Sequence, residues 1–250
     1  VANVDGQTKN LVLNFAQTTS LDGSFANITD LTSEGDVSLN GTISTLGNQS
    51  YKGNATLSGD TTLEGTSLAL SNGLEGGTKN LVLNFAQTTS LDGSFANITD
   101  LTSEGDVSLN GTISTLGNQV YNAGANLAGD TRLEGSSLSV ANVDGQTKNL
   151  VLNFAQTTSL DGSFANITDL TSEGDVSLNG TISTLGNQSY KGNATLSGDT
   201  TLEGTSLALS NGLEGGTKNL VLNFAQTTSL DGSFANIADL TSEGDVSLNG

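Results

Sequence analysis

Apolar and polar residues alternate along short runs of this chain. Val37-Ser-Leu39, Ala55-Thr-Leu57 and Leu81-Val-Leu83-Asn-Phe85 place their apolar side chains at every second position. A period of two puts those side chains on one face of an extended strand. Leu68-Ala-Leu70 fits the same spacing. Glycine-rich punctuation separates the runs, as at Gly35-Asp36, Gly59-Asp60, Gly73 and Gly76-Gly77, which predicts turns. No stretch sustains a helical period. The chain also lacks proline, which suits strands hydrogen-bonded on both edges.

The pattern repeats. Asn-Leu-Val-Leu-Asn-Phe-Ala-Gln begins at Asn10, Asn80, Asn149 and Asn219. Residues 1–111 recur as residues 140–250 with one substitution, Thr99 to Ala238. Two versions of a repeat of about 70 residues therefore alternate. Their boundaries fall near 10–79, 80–148, 149–218 and 219–250, the last partial.

The versions differ mainly between residues 50–77 and 120–146. There Tyr51 matches Tyr121, Ala55 matches Ala125, Leu57 matches Leu127 and Leu63 matches Leu133. Lys52 becomes Asn122, Thr56 becomes Asn126 and Thr62 becomes Arg132. Apolar positions persist while their neighbours drift, as inward and solvent faces do.

These features predict an all-β fold: a right-handed parallel β-helix, or β-solenoid, running as one segment through residues 1–250. Leu81, Leu83, Phe95 and Leu101 match Val37, Leu39, Tyr51 and Leu57 at equal offsets. This suggests turns of about 20 to 26 residues, roughly three per repeat, with four shorter turns left open. A propeller and a β-sandwich array are the rival architectures. Both ends fall inside the repeat phase, so the chain is expected to be part of a longer array.

Composition narrows the chemistry. There is no Cys and no His, which removes disulfides, thiolate metal ligands and the commonest general base. A net charge of −19 with a single arginine, Arg132, disfavours nucleic acid as a partner. No apolar run approaches the roughly 18 residues of a membrane span.

The chain resembles the repeats of filamentous-haemagglutinin-like bacterial exoproteins. The resemblance rests on residues 37–51, Val37-Ser-Leu-Asn-Gly-Thr-Ile-Ser-Thr-Leu-Gly-Asn-Gln-Ser-Tyr51, continuing through residues 55–65, Ala55-Thr-Leu-Ser-Gly-Asp-Thr-Thr-Leu-Glu-Gly65. It implies a secreted or surface-displayed filament of a Gram-negative bacterium, exported by two-partner secretion and working as an adhesin or biofilm-matrix element. The secretion domain and the anchoring region of such proteins are expected outside these 250 residues. The resemblance carries no catalytic residues, and neither a cofactor nor a metal is expected.

The expected function is thus a structural or adhesive rod without catalysis, its partners being neighbouring repeats, further copies of itself or surface glycans. The alternative is a carbohydrate- or calcium-binding module of a biofilm or sheath matrix. Calcium would draw on Asp22, Asp30, Glu34, Asp36, Asp60 and Glu64 and their copies, but the calcium-binding nonapeptide Gly-Gly-x-Gly-x-Asp is absent and a solvated acidic face is the preferred reading of them. Polysaccharide-cleaving β-helices gather carboxylates and bases in one groove, whereas near-identical repeats offer no unique site.

Asn27-Ile-Thr29, Asn40-Gly-Thr42, Asn48-Gln-Ser50 and Asn54-Ala-Thr56 match the N-glycosylation pattern, as chance allows in so polar a chain. Asn14, Asn40 and Asn84 are expected to bond along the solenoid axis, and Phe15, Phe25 and Tyr51 to fill the core. Thr61-Thr62 and Thr88-Thr89 are adjacent pairs, so their side chains should point to opposite sides. That argues against an ice-binding face.

Overall fold

The computed structural model of the chain describes residues 1–249. It is a parallel β-solenoid, and no helix occurs among the described residues. The chain divides into two compact halves, Val1–Gly124 and Ala125–Gly250.

In the amino-terminal half each turn has three faces. Thr19, Val37, Ala55, Leu74, Phe95 and Ile113 stack in register on one face. Gly41, Thr61, Leu81, Leu101 and Gln119 stack on the next. Leu11, Leu31, Gln49 and Leu68 stack on the third. Within one turn the strand Val37–Thr45 serves the first two of these faces and Asn48–Tyr51 serves the third, before Ala55–Gly65 begins the next turn.

The carboxy-terminal half is built the same way. Its columns are Thr131, Leu150, Leu170, Gln188, Leu207 and Thr228; Thr158, Val176, Ala194, Leu213 and Phe234; and Gly180, Thr200, Leu220 and Leu240.

Alternation decides which side chains enter the core. Leu81, Leu83, Leu63 and Ile43 are wholly buried, while Val82 and Thr62 between them are half-exposed. The adjacent threonines split as expected: Thr61 and Thr89 are buried, Thr62 half-exposed and Thr88 exposed. The core is narrow and closes with few large residues, because each aliphatic side chain rests on the equivalent position one turn away.

It also holds a recurrent polar pair. The Tyr51 hydroxyl donates to Gln49 Oε1 at 2.9 Å. Gln49 Nε2 donates to the Ile43 and Glu64 carbonyls at 2.8 and 2.9 Å. Tyr121 with Gln119, and Tyr190 with Gln188, repeat the hydroxyl bond. Full burial without a charged partner pushes all three tyrosine pKa values far above the ordinary range.

Two expectations need correction. Turns run from 18 to 21 residues, at and below the short end of the expected 20 to 26. Val37 stacks on Ala55 and Leu39 on Leu57, 18 residues apart, whereas Leu81 stacks on Leu101, 20 apart. The difference lies at the corners, where some ladders slip register. Val37 and Leu81 are also on different faces, so their equal offsets to other apolar residues do not mark equivalent turns.

Phe15 is the second correction. It is 60 % exposed, while its copies Phe85, Phe154 and Phe224 are buried. Each buried copy pairs with a glycine of the preceding turn, Gly65, Gly135 or Gly204. A Cβ on Gly204 would lie 3.2 Å from the Phe224 ring, so glycine leaves the room the ring occupies. Phe15 lies in the first of the described turns.

Candidate functional site

Asp22, Asp30, Glu34, Asp36 and Asp60, weighed as calcium ligands, lie at the corners between faces, while Glu64 lies within the strand Ala55–Gly65. Three of the six accept a backbone N–H from the next turn. Asp30 takes the Asn48 N–H at 2.8 Å, Asp36 that of Asn54 at 2.8 Å, and Asp60 that of Asn80 at 2.9 Å. Their copies do the same: Asp106 to Gly124, Asp169 to Asn187 and Asp199 to Asn219. A corner breaks the strand ladder, and the carboxylate supplies the acceptor that the ladder does not.

One corner shows how charge is spaced. Asp60 accepts from the Asn80 N–H, Asn80 Oδ1 from the Asp100 N–H at 3.2 Å, and Asp100 from the Asn118 N–H at 2.6 Å. Asp130, Asn149, Asp169 and Asn187 repeat the series. Amide and carboxylate alternate, so successive charges stand two turns apart. At about 4.8 Å per turn that is about 10 Å, beyond the screening length of about 8 Å at physiological salt. The ladder satisfies each corner amide without stacking like charges.

Some of the remaining acids form ion pairs. Lys52 meets Glu34 at 2.7 Å. In the other version of the repeat Asn122 stands in place of Lys52, and its amide donates to Glu104 at 2.7 Å, so the substitution keeps the cross-turn bond. Arg132, in place of Thr62, pairs with Glu134 of its own strand at 2.9 Å. Among the described residues no three carboxylates come together in a group that could hold a metal ion.

Asn40 bonds along the axis as expected, but to a carboxylate: its amide donates to Asp22 at 2.6 Å. Asn14 and Asn84 are exposed. Of the asparagines in the glycosylation pattern, Asn27 and Asn54 donate their side-chain amides to Asp5 at 3.2 Å and Asp36 at 3.1 Å. Asn48 Oδ1 accepts from Ser67 at 2.7 Å. Phe25 and Tyr51 fill the core as expected.

Two features were not read from the sequence. Thr8, Thr78, Thr147 and Thr217 have φ between 58 and 62°, a left-handed conformation that a β-branched residue rarely adopts. Each precedes a lysine in a loop that bulges from the ladder; the three residues between Glu75 and Lys79 face only Asn97, between Ala96 and Ile98. The second feature is a pair of equivalent open clefts. One, of about 250 Å³, is bordered by Asn54, Thr56, Asn72, Glu75 and Ser94. The other, of about 310 Å³, is bordered by Asn193, Thr195, Asn211, Glu214 and Ser233. Much of the donor capacity at the first cleft is already engaged: the Asn54 amide on Asp36, the Asn72 amide on the Lys52 carbonyl and the Thr56 hydroxyl on the Val37 carbonyl.

Among the described residues no helix is long and apolar enough to cross a membrane. No protein-family model, curated protein or solved structure matches the chain.

Proposed function

We propose that this chain is a structural and adhesive element of a secreted or surface-displayed bacterial fibrous protein, and that it performs no catalysis. The observation that supports this most directly is the repetition of the same bonds turn after turn. The cross-turn carboxylate caps at Asp30, Asp36 and Asp60 recur at Asp169, Asp175 and Asp199. Chemistry needs a unique constellation, whereas repetition yields length and a periodic surface. Likeness to filamentous-haemagglutinin-like repeats supports the extracellular setting and export by two-partner secretion. Contacts with surface glycans or with further copies of the chain would then be weak singly and strong in number.

A second reading is favoured by the paired clefts. Asn54, Asn72, Glu75 and Ser94 line the first with carbonyl, carboxylate and hydroxyl oxygens, which suit a hydroxyl-rich ligand such as a saccharide. Binding of the chain to immobilised glycans, compared with its adherence to whole cells and to itself, tests both readings. Cell or self adherence that persists in N72A/N211A supports the adhesive element. Glycan binding abolished by N72A/N211A supports the second reading instead. Absence of all adherence would refute the adhesive role.

A further inference from the structure

The repeat of the sequence and the turn of the solenoid do not share a period. In the amino-terminal half Leu11 stacks with Leu31 and Gln49, whereas its copy Leu81 stacks with Thr61 and Leu101 on a different face. Following the chain from Leu11 to Leu81 passes through eleven faces, which is three and two-thirds turns. The carboxy-terminal half obeys the same rule. Leu150 stacks with Thr131 and Leu170, and its copy Leu220 with Thr200 and Leu240. Again eleven faces separate them.

The faces are therefore interchangeable in sequence. Gln49 and Tyr51 lie in the column of Leu31 and Ser33, while Gln119 and Tyr121 lie in the column of Leu101 and Ser103. Both pairs nonetheless make the same buried hydroxyl bond. The same holds at the surface. Leu46 is 60 % exposed at the corner that follows Ile43, and Leu116, its copy, is 60 % exposed at the corner that follows Ile113. Ile43 stacks on Leu63 and belongs to one face; Ile113 stacks on Phe95 and belongs to another. Each repeat turns the same leucine to a new side.

We propose that the array is an all-round contact element: every surface feature a repeat carries is presented on a different side by the next repeat. Such an array suits compact partners held one per repeat and pointing in different directions, so that it cross-links them. It does not suit zippering along one face of a flat surface. The bridging role rests on the adhesive reading; the geometry does not, and it is tested separately.

The chain has no cysteine, so introduced thiols are unique handles. A single-cysteine globular protein of about 300 residues has a radius of gyration near 19 Å and is about 50 Å across. It would be coupled by a direct disulfide to L46C/L116C and, as a control, to L46C/A86C. Leu46 and Ala86 share a corner, because the Thr66 N–H bonds the Gly47 carbonyl and the Gln87 N–H bonds the Thr66 carbonyl. They stand two turns, about 10 Å, apart, too close for two such probes.

Leu46 and Leu116 are about 18 Å apart along the axis at that rise per turn, but on different corners. Probes there would have centres roughly 60 Å apart, given faces of about five residues at 3.3 Å each. The expected result, read by mass on a native gel, is two probes on L46C/L116C and one on L46C/A86C. One probe on L46C/L116C, or two on L46C/A86C, overturns the proposal. Circular dichroism confirms folding beforehand. Should the leucine pair misfold, N48C/N118C, two residues further along the same corners, gives the same reading. Absence of adhesion by the unmodified chain, with two probes still bound to L46C/L116C, would refute the adhesive role and leave the geometry standing.

Discussion

Two buried threonines should respond in opposite directions to the same substitution. Thr89 is wholly buried and its hydroxyl has no hydrogen-bond partner. It lies in an aliphatic column, one turn before Val107. Thr61 is also buried, but its hydroxyl donates to the Gly59 carbonyl at 2.9 Å. An unsatisfied buried hydroxyl costs about 1 to 3 kcal/mol, whereas a made bond contributes about 1 kcal/mol. Replacing the Thr89 hydroxyl with a methyl group removes the penalty and buries further apolar surface, worth up to about 0.8 kcal/mol.

T89V is therefore expected to stabilise by about 1 to 2 kcal/mol, and T61V to destabilise by about 1 kcal/mol. For a chain of this size each kcal/mol moves the melting temperature by about 2 to 4 °C. T158V repeats the first case, since the Thr158 hydroxyl is likewise buried and unpartnered. Thermal melts of T89V, T158V and T61V by circular dichroism read the sign directly. Destabilisation by T89V equal to that of T61V would refute the reasoning, for it would mean that the Thr89 hydroxyl has a partner after all.

Three further outcomes are expected. Leu83→Asp should cost several kcal/mol by burying an unpaired charge, while Val82→Asp, on the half-exposed face, should cost under about 1 kcal/mol; equal losses in urea melts would contradict the alternation. Tyr51, Tyr121 and Tyr190 are held protonated in the folded state by burial, so stability is intact below the unfolded tyrosine pKa of about 10. It should fall above that pH by about 1.4 kcal/mol per unit for each tyrosine, and Y190F should flatten the decline. Asp60→Ala removes the acceptor for the Asn80 N–H and should lower the melting temperature by a few degrees. Asp60→Asn keeps an oxygen there and should recover most of the loss; an equal drop in both would show that charge, not the acceptor, matters.

The sequence by itself determined the inside and outside of this protein. A period of two, with apolar positions held while Lys52, Thr56 and Thr62 drifted, sufficed to place Leu63, Leu83 and Tyr51 in the core, because side-chain direction along a strand is a local property. Parallel stacking followed from self-similarity, since identical short strands bury a common face only against one another.

What stacks on what was a tertiary decision. Turns of 18 and 20 residues differ by register slips at corners, as between Leu39 and Gly41, and no local pattern records how many residues a corner absorbs. For that reason the equal offsets at Val37 and Leu81 misled, and the eleven-face winding was hidden. Tertiary structure also gave the acids their role: Asp60 caps Asn80 from 20 residues away, a bond that exists only once the turn between them has closed. Phe85 is buried because Gly65, one turn below, leaves room for its ring, a pairing no local pattern records.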